Sequence, residues 1–204
     1  MLRLLKCLTM NNTFFILVLF FIICACKNDN PVPKPPTYLK TELPEHSYRK
    51  VSNDCPYELK LADIYNYKPC VFQKSNFCMQ QIDLGPLNGS LFLYYINIPS
   101  KDSLPAIINY ANDKVDEHKI KADKIDFRQL INKEKRVFGT FFELKGNVAT
   151  NFQFYLTDST NNFVRGEVLL NCRPNYDSLK PSLEYLKHDL LELVNNFKWK
   201  FKQN

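Results

Sequence analysis

The chain has 204 residues and a formal charge of +6, from 27 Lys and Arg against 21 Asp and Glu. This length suits one domain with a real core, and the mild positive balance excludes the electrostatic footprint of a nucleic-acid binder. Sixteen Phe and 11 Tyr against five Gly predict a core dominated by aromatic packing, with no internal repeat.

The N-terminus carries Arg3 and Lys6 with no acid, then ten apolar residues from Phe14 to Ile23, then Cys24-Ala25-Cys26 before the polar Lys27. A positive segment, a short apolar run and small residues before a cut describe a secretory signal. The run is about half of what a membrane-spanning helix needs. Ile23, Cys24 and Ala25 before Cys26 resemble the lipobox of bacterial lipoproteins, so residues 1–25 are expected to be removed and Cys26 acylated. More than one acyl chain makes such an anchor durable. Loss of Arg3 and Lys6 takes the formal charge from +6 to +4. Export places the chain in the cell envelope, where disulfides persist. Which membrane carries the anchor stays open, as does surface exposure, because Lys27-Asn28-Asp29 holds a single acid.

Residues 26–37 form the lipidated end and a linker with Pro31, Pro33, Pro35 and Pro36. Proline favours an extended polyproline helix, so this stretch is either a semi-rigid spacer, reaching roughly 30 Å, or an unstructured tail. Residues 38–204 read as one globular domain. A short strand is expected at 57–61, and two more at 77–84 and 91–98 joined around Asn88-Gly89, a strong hairpin signal. The second is almost continuously apolar, which predicts burial on both faces. Leu104, Ile107, Ile108, Ala111, Val115, His118, Ala122 and Ile125 recur at helical spacing. A three-stranded meander follows at 136–144, 150–158 and 162–171, with Phe152, Phe154 and Leu156 alternating with polar residues.

A closing helix is expected with Asp177 as N-cap and Pro181 in its first turn. Leu179, Leu183, Leu186, Leu190, Leu193 and Phe197 form its core-facing stripe. These elements predict an α+β domain in which a mostly antiparallel sheet of five to six strands packs with two helices. Their order resembles the PsbP/Mog1-like fold.

The chemistry-bearing residues are few. His46, His118 and His188 form no HExxH pattern and lack metal-ligand spacing from the cysteines, so neither a metal nor a cofactor is expected. His118 falls on the apolar face of the first helix and reads as a core histidine. No nucleophile elbow, P-loop or dinucleotide fingerprint occurs. Asp158-Ser159 and Asp177-Ser178 lie in turns, where such residues cap backbone groups. Cys55, Cys70, Cys78 and Cys172 allow three disulfide pairings that spacing does not distinguish.

Several segments together resemble one known family. They are Leu43-Pro44-Glu45-His46 with Tyr48, Cys55-Pro56-Tyr57, Leu87-Asn88-Gly89 with Tyr94-Tyr95, and His118 with Lys121-Ala122-Asp123. Lys145-Gly146-Asn147, Gln153 to Ser159, Phe163-Val164-Arg165-Gly166, Pro174 to Pro181 and Trp199-Lys200 continue the series. In order and spacing they are similar to the gliding motility lipoprotein GldD family, although Cys78-Met79 stands where the family often has Cys-Trp. The resemblance implies a Cys55–Cys78 disulfide, leaving Cys70 and Cys172 as the other pair. It further implies a non-enzymatic, lipid-anchored accessory of the gliding and type IX secretion machinery, facing the periplasm and acting by protein contacts. Asp158, Arg165, Asn175, Tyr176 and Asp177 are then the candidate contact residues, because polar groups in turns are not explained by core packing. The alternative is a periplasmic small-ligand binder or an envelope hydrolase with a pocket near His118.

Overall fold

The computed structural model describes residues 42–68, 72–74 and 77–200. The expected signal segment, Cys26, the proline-rich stretch and Cys70 lie outside the described residues. In chain order the strands are β1 (Tyr48–Val51), β2 (Tyr57–Ala62), β3 (Asn66–Tyr67), β4 (Phe72–Lys74), β5 (Phe77–Asp83) and β6 (Gly89–Asn97). Helix α1 (Leu104–Asp116) precedes β7 (Ala122–Asn132), β8 (Val137–Gly146), β9 (Phe152–Thr157) and β10 (Asn162–Leu170). Helix α2 (Tyr176–Asn196) and β11 (Lys198–Trp199) close the domain.

The strands make two sheets rather than one. The larger runs β3-β5-β6-β10-β9-β8-β7, with β4 also paired to β5, and the smaller runs β1-β2-β11. Their pairings are antiparallel. The class is therefore α+β with two helices, as the sequence predicts. The five or six strands expected grow to eight plus three, because β7 begins where the helical period was expected to continue and because very short strands, such as Asn66–Tyr67 and Lys198–Trp199, leave no alternation to read.

The hairpin around Asn88 forms as expected. Asn88 adopts the left-handed conformation at φ 48° after a 3-10 turn over Gly85–Leu87, and its N–H returns to the Gly85 carbonyl at 2.9 Å. In β6, Leu91, Leu93 and Tyr95 are buried while Phe92, Tyr94 and Ile96 are half-buried, so one face is sealed more fully than the other.

The first helix ends nine residues earlier than its periodicity suggests. It stops at Asp116, and Ala122 and Ile125 belong to β7, a strand that the periodicity does not predict. The apolar positions still pack inward, since Ala122 and Ile125 join Val115, Leu144 and Val148 in one cluster. The chain reverses through His118 to Lys121, where no Gly or Pro marks the break. The His118 carbonyl accepts the N–H groups of Lys121 and Ala122, each at 3.0 Å. His118 is thus a half-buried turn residue, not a core histidine on a helix.

The main core lies between the larger sheet on one side and α2 with the smaller sheet on the other. Phe141, Phe152 and Phe154 meet Leu183, Leu186, Leu190 and Leu193 there, with Leu59 and Leu61 of β2. Each fully buried leucine contributes about 1.5–3 kcal/mol. The opposite face of the sheet is partly covered by α1, whose Leu104, Ile107, Ile108 and Ala111 pack on Phe163, Tyr155 and Ile98. Cys55 and Cys78 form a disulfide that joins the segment before β2 to β5, and hence one sheet to the other. Closing a loop of 23 residues is worth about 3 kcal/mol through the unfolded chain. Cys172 lies exposed beyond β10, and the partner expected for it, Cys70, lies outside the described residues.

Helix α2 begins two residues before its expected start. Asn175 is the N-cap, accepting from Ser178 N at 3.3 Å, and Asp177 lies within the first turn. Pro181 therefore falls inside the helix rather than in its first turn. Pro lacks the N–H that would reach back four residues, a cost the buried leucine stripe on the same helix outweighs.

Gly166 in β10 shows why a glycine occupies a buried strand position. A Cβ there would meet the Phe154 ring at 2.2 Å, and that ring is locked in the core. Gly166→Ala is expected to lower stability by about 2 kcal/mol, read as a shift of the urea midpoint. An unchanged midpoint would show that the ring can move aside.

Candidate functional site

The densest grouping of polar chemistry joins the segment before β1 to α2. Tyr185, His188 and Asp189 share one side of α2 at i, i+3 and i+4 spacing. Asp189 is 3% exposed and sits among the leucines of the core stripe. His46 and Tyr48 reach it from a segment more than 140 residues earlier. His46 Nδ1 lies 2.7 Å from Asp189 Oδ1, and the Tyr48 hydroxyl donates to the same oxygen at 2.9 Å. Tyr65 donates to Asp189 Oδ2 at 2.5 Å. The Tyr48 hydroxyl also meets His188 Nδ1 at 2.9 Å.

The rings are ordered by stacking as well as by hydrogen bonds. His46 stacks on Tyr185 at 4.1 Å between centroids and lies 4.1 Å from the His188 ring at a tilt of 30°. Tyr185 in turn donates to the Pro44 carbonyl at 3.0 Å. Burial, followed by hydrogen bonding to Asp189, pushes the phenols of Tyr48 and Tyr65 well above the ordinary tyrosine range, so both remain donors. Hydrogen bonds to a buried carboxylate are worth about 1.5–3 kcal/mol each, and leaving one partner unmatched costs a similar amount.

No local pattern in the sequence marks this cluster as a whole. His46 and His188 are 142 positions apart, so no spacing rule links them. One signal was present: Asp189 lies three residues after Leu186 and four before Leu193, an acid on a face otherwise reserved for leucine.

The five residues singled out as contact candidates have different environments. Asp158 is buried, and its Oδ1 accepts the N–H groups of Thr160, Asn161 and Asn162, each at 2.9 Å. Burial alone would raise its pKa, but the N–H groups of Asn162, Thr160 and Asn161 and the Asn162 side chain together hold it below the usual carboxylate range. Its role is to shape the β9–β10 turn. Arg165 is in mid-strand rather than in a turn. It bridges to Glu167 at 2.7 Å and lies over the Tyr94 ring, and Tyr94 donates to Glu167 at 2.8 Å. These two residues therefore spend their polar groups inside the domain, contrary to the expectation of exposed turn positions. Asn175 and Asp177 are exposed, and Tyr176 is half-buried with its N–H on Asn147 Oδ1 at 2.8 Å.

Two clefts lie between β7 and α2. One is lined by Asp126, Phe127, Arg128, Phe141, Glu143, Lys187 and Leu191, and the other by residues of β7 with Val194, Asn195 and Phe197. His118 lines neither. The Trp199-Lys200 motif has a structural role: Trp199 donates to the Arg136 carbonyl at 3.0 Å, and Lys200 Nζ reaches the carbonyls of Asn53 and Cys55 at 2.6 and 3.1 Å.

Two outcomes test this arrangement. Asp189→Ala leaves the Tyr65 hydroxyl buried without its acceptor and is expected to cost about 3 kcal/mol in urea unfolding. A loss below the error of the measurement would mean the network contributes nothing. Separately, burial and the bond to Glu167 raise the Tyr94 pKa from 10.0 to about 12. The protonated phenol is favoured in the fold, so this stability is complete below pH 10 and falls as pH rises towards about 12. Thermal midpoints of Tyr94→Phe should fall less steeply over that window than those of the unsubstituted chain. Parallel curves would refute the assignment.

No curated protein matches the chain. The family model described as gliding motility lipoprotein GldD matches residues 28–199, which take in the proline-rich segment and every element from β1 to β11. The chain therefore belongs to the gliding motility lipoprotein GldD family.

Proposed function

We propose that the chain is an accessory of the gliding motility and type IX secretion machinery, anchored through acylated Cys26 and facing the periplasm, and that it acts by protein contacts without catalysis. The observation that carries this reading is the family match over residues 28–199, which spans the linker and the whole described domain.

Two exposed features support a contact role. The outer edge of β7 has no strand beside it among the described residues, and its Phe127 and Ile131 are 71% and 64% exposed. An open edge with large apolar side chains is a place where another chain can add. The start of α2, with Asn175 and Asp177 exposed, is tied to the segment after β8 by the Tyr176 N–H on Asn147 Oδ1 at 2.8 Å, and Gly146 at the end of β8 pairs with Ala122 at the start of β7. Lys124 and Lys145 both hold Asp126, at 2.7 and 2.9 Å, so the first part of β7 carries a charged cluster. A ligand binder or hydrolase centred on His118 has less support, since that residue sits half-buried in a turn whose carbonyl is spent on the N–H groups of Lys121 and Ala122.

Crosslinking in the native envelope followed by pull-down of the tagged chain tests the proposal. Components of the gliding or secretion machinery are expected with the unsubstituted chain, reduced with Cys26→Ser and reduced with Phe127→Asp/Ile131→Asp. Abundant, folded protein that captures none of them would overturn it.

A further inference from the structure

We propose that His46, His188 and Asp189 form a binding site for a divalent transition-metal ion of the zinc class, which fastens the segment following the proline-rich linker to α2. One ring nitrogen from each histidine and one carboxylate oxygen of Asp189 all lie within 4.8 Å of one another. Two imidazoles and a carboxylate are the donors that zinc, and its analogue cobalt, take in sites with a position left for solvent.

The surroundings are those of a held ligand set. Tyr65 occupies Asp189 Oδ2, which leaves Oδ1 as the oxygen turned towards His46. Stacking on Tyr185 fixes the plane of His46, and the Tyr185 hydroxyl is itself tied to the Pro44 carbonyl. Outer groups that orient ligands in this way tune metal sites generally. Asp189 is buried while both histidines are exposed, so an ion can enter from solvent on the histidine side and meet its negative charge at the base. The Tyr48 hydroxyl, 2.9 Å from both His188 Nδ1 and Asp189 Oδ1, occupies the polar gap that an ion would share or take over. With 143 positions between His46 and Asp189, such an ion closes a long loop and stabilises the fold by binding only the folded chain.

The test uses the lipidated chain in detergent, purified without a histidine tag, carrying Cys172→Ser and stripped with a chelator. It is titrated with Zn2+ and with Co2+. The expected result is saturable uptake of a single ion per chain, a raised thermal midpoint, and Co2+ absorption typical of nitrogen and oxygen ligands. His188→Ala, whose ring is exposed and outside the core, should weaken binding about tenfold or more. The site is overturned if neither ion binds, if His188→Ala binds as tightly as its parent, or if the Co2+ spectrum shows thiolate charge transfer.

Discussion

The packing of α2 against two sheets at once is the constraint on which the domain rests. A three-stranded sheet with strands as short as β11 has too little surface to persist alone. Helix α2 supplies what it lacks. Its leucine stripe is buried on one side by Leu59 and Leu61 of β2 and on the other by the phenylalanines of β8 and β9. The Cys55–Cys78 disulfide and the buried chain from Tyr57 through Gln80 to Tyr67, with bonds of 2.7 Å, tie the same two layers together. Phe197 and Trp199 then carry the chain from the helix into β11, packed edge to face at 4.8 Å. Lys200, just after β11, is thereby fastened to Asn53 and Cys55, near the start of β2.

Into this apolar seam the sequence places one carboxylate. A leucine at 189 would extend the stripe, whereas Asp189 collects His46, Tyr48 and Tyr65 around one point. Burying that charge is costly unless its hydrogen bonds are satisfied, so the segment before β1 is held where its side chains can satisfy them. Any force on a lipid anchor at Cys26 would enter the domain through this segment. The cluster is thus both the root of the proposed tether and the proposed metal site.

The far side of the larger sheet is built differently. Helix α1 covers its centre, and Arg165, Glu167 and Tyr94 form a polar unit on the same face. Beyond α1 the sheet runs out to β7, which ends in an unshared edge among the described residues. The two faces suit different roles, one closed by helix and second sheet, the other open at its margin.

Much of this was legible in the chain itself. Local patterns determined the α+β class, the leucine stripe of α2, the hairpin at Asn88 and the strands β8 to β10, because each depends on side chains a few residues apart. The family resemblance rested on short motifs whose order survives in the fold, and it implied the Cys55–Cys78 bond. The reversal at His118 escaped notice because residues 118–121 contain no breaker, and the helical period of the apolar residues runs straight into β7. The His46–Asp189 cluster could not be read at all. Its members are brought together only when α2 docks, and no local spacing encodes a contact made across 143 positions. What the sequence by itself determined is the set of surfaces that must be buried. Only the tertiary structure decided which polar groups are carried inward with them, since that depends on how distant elements close over one another.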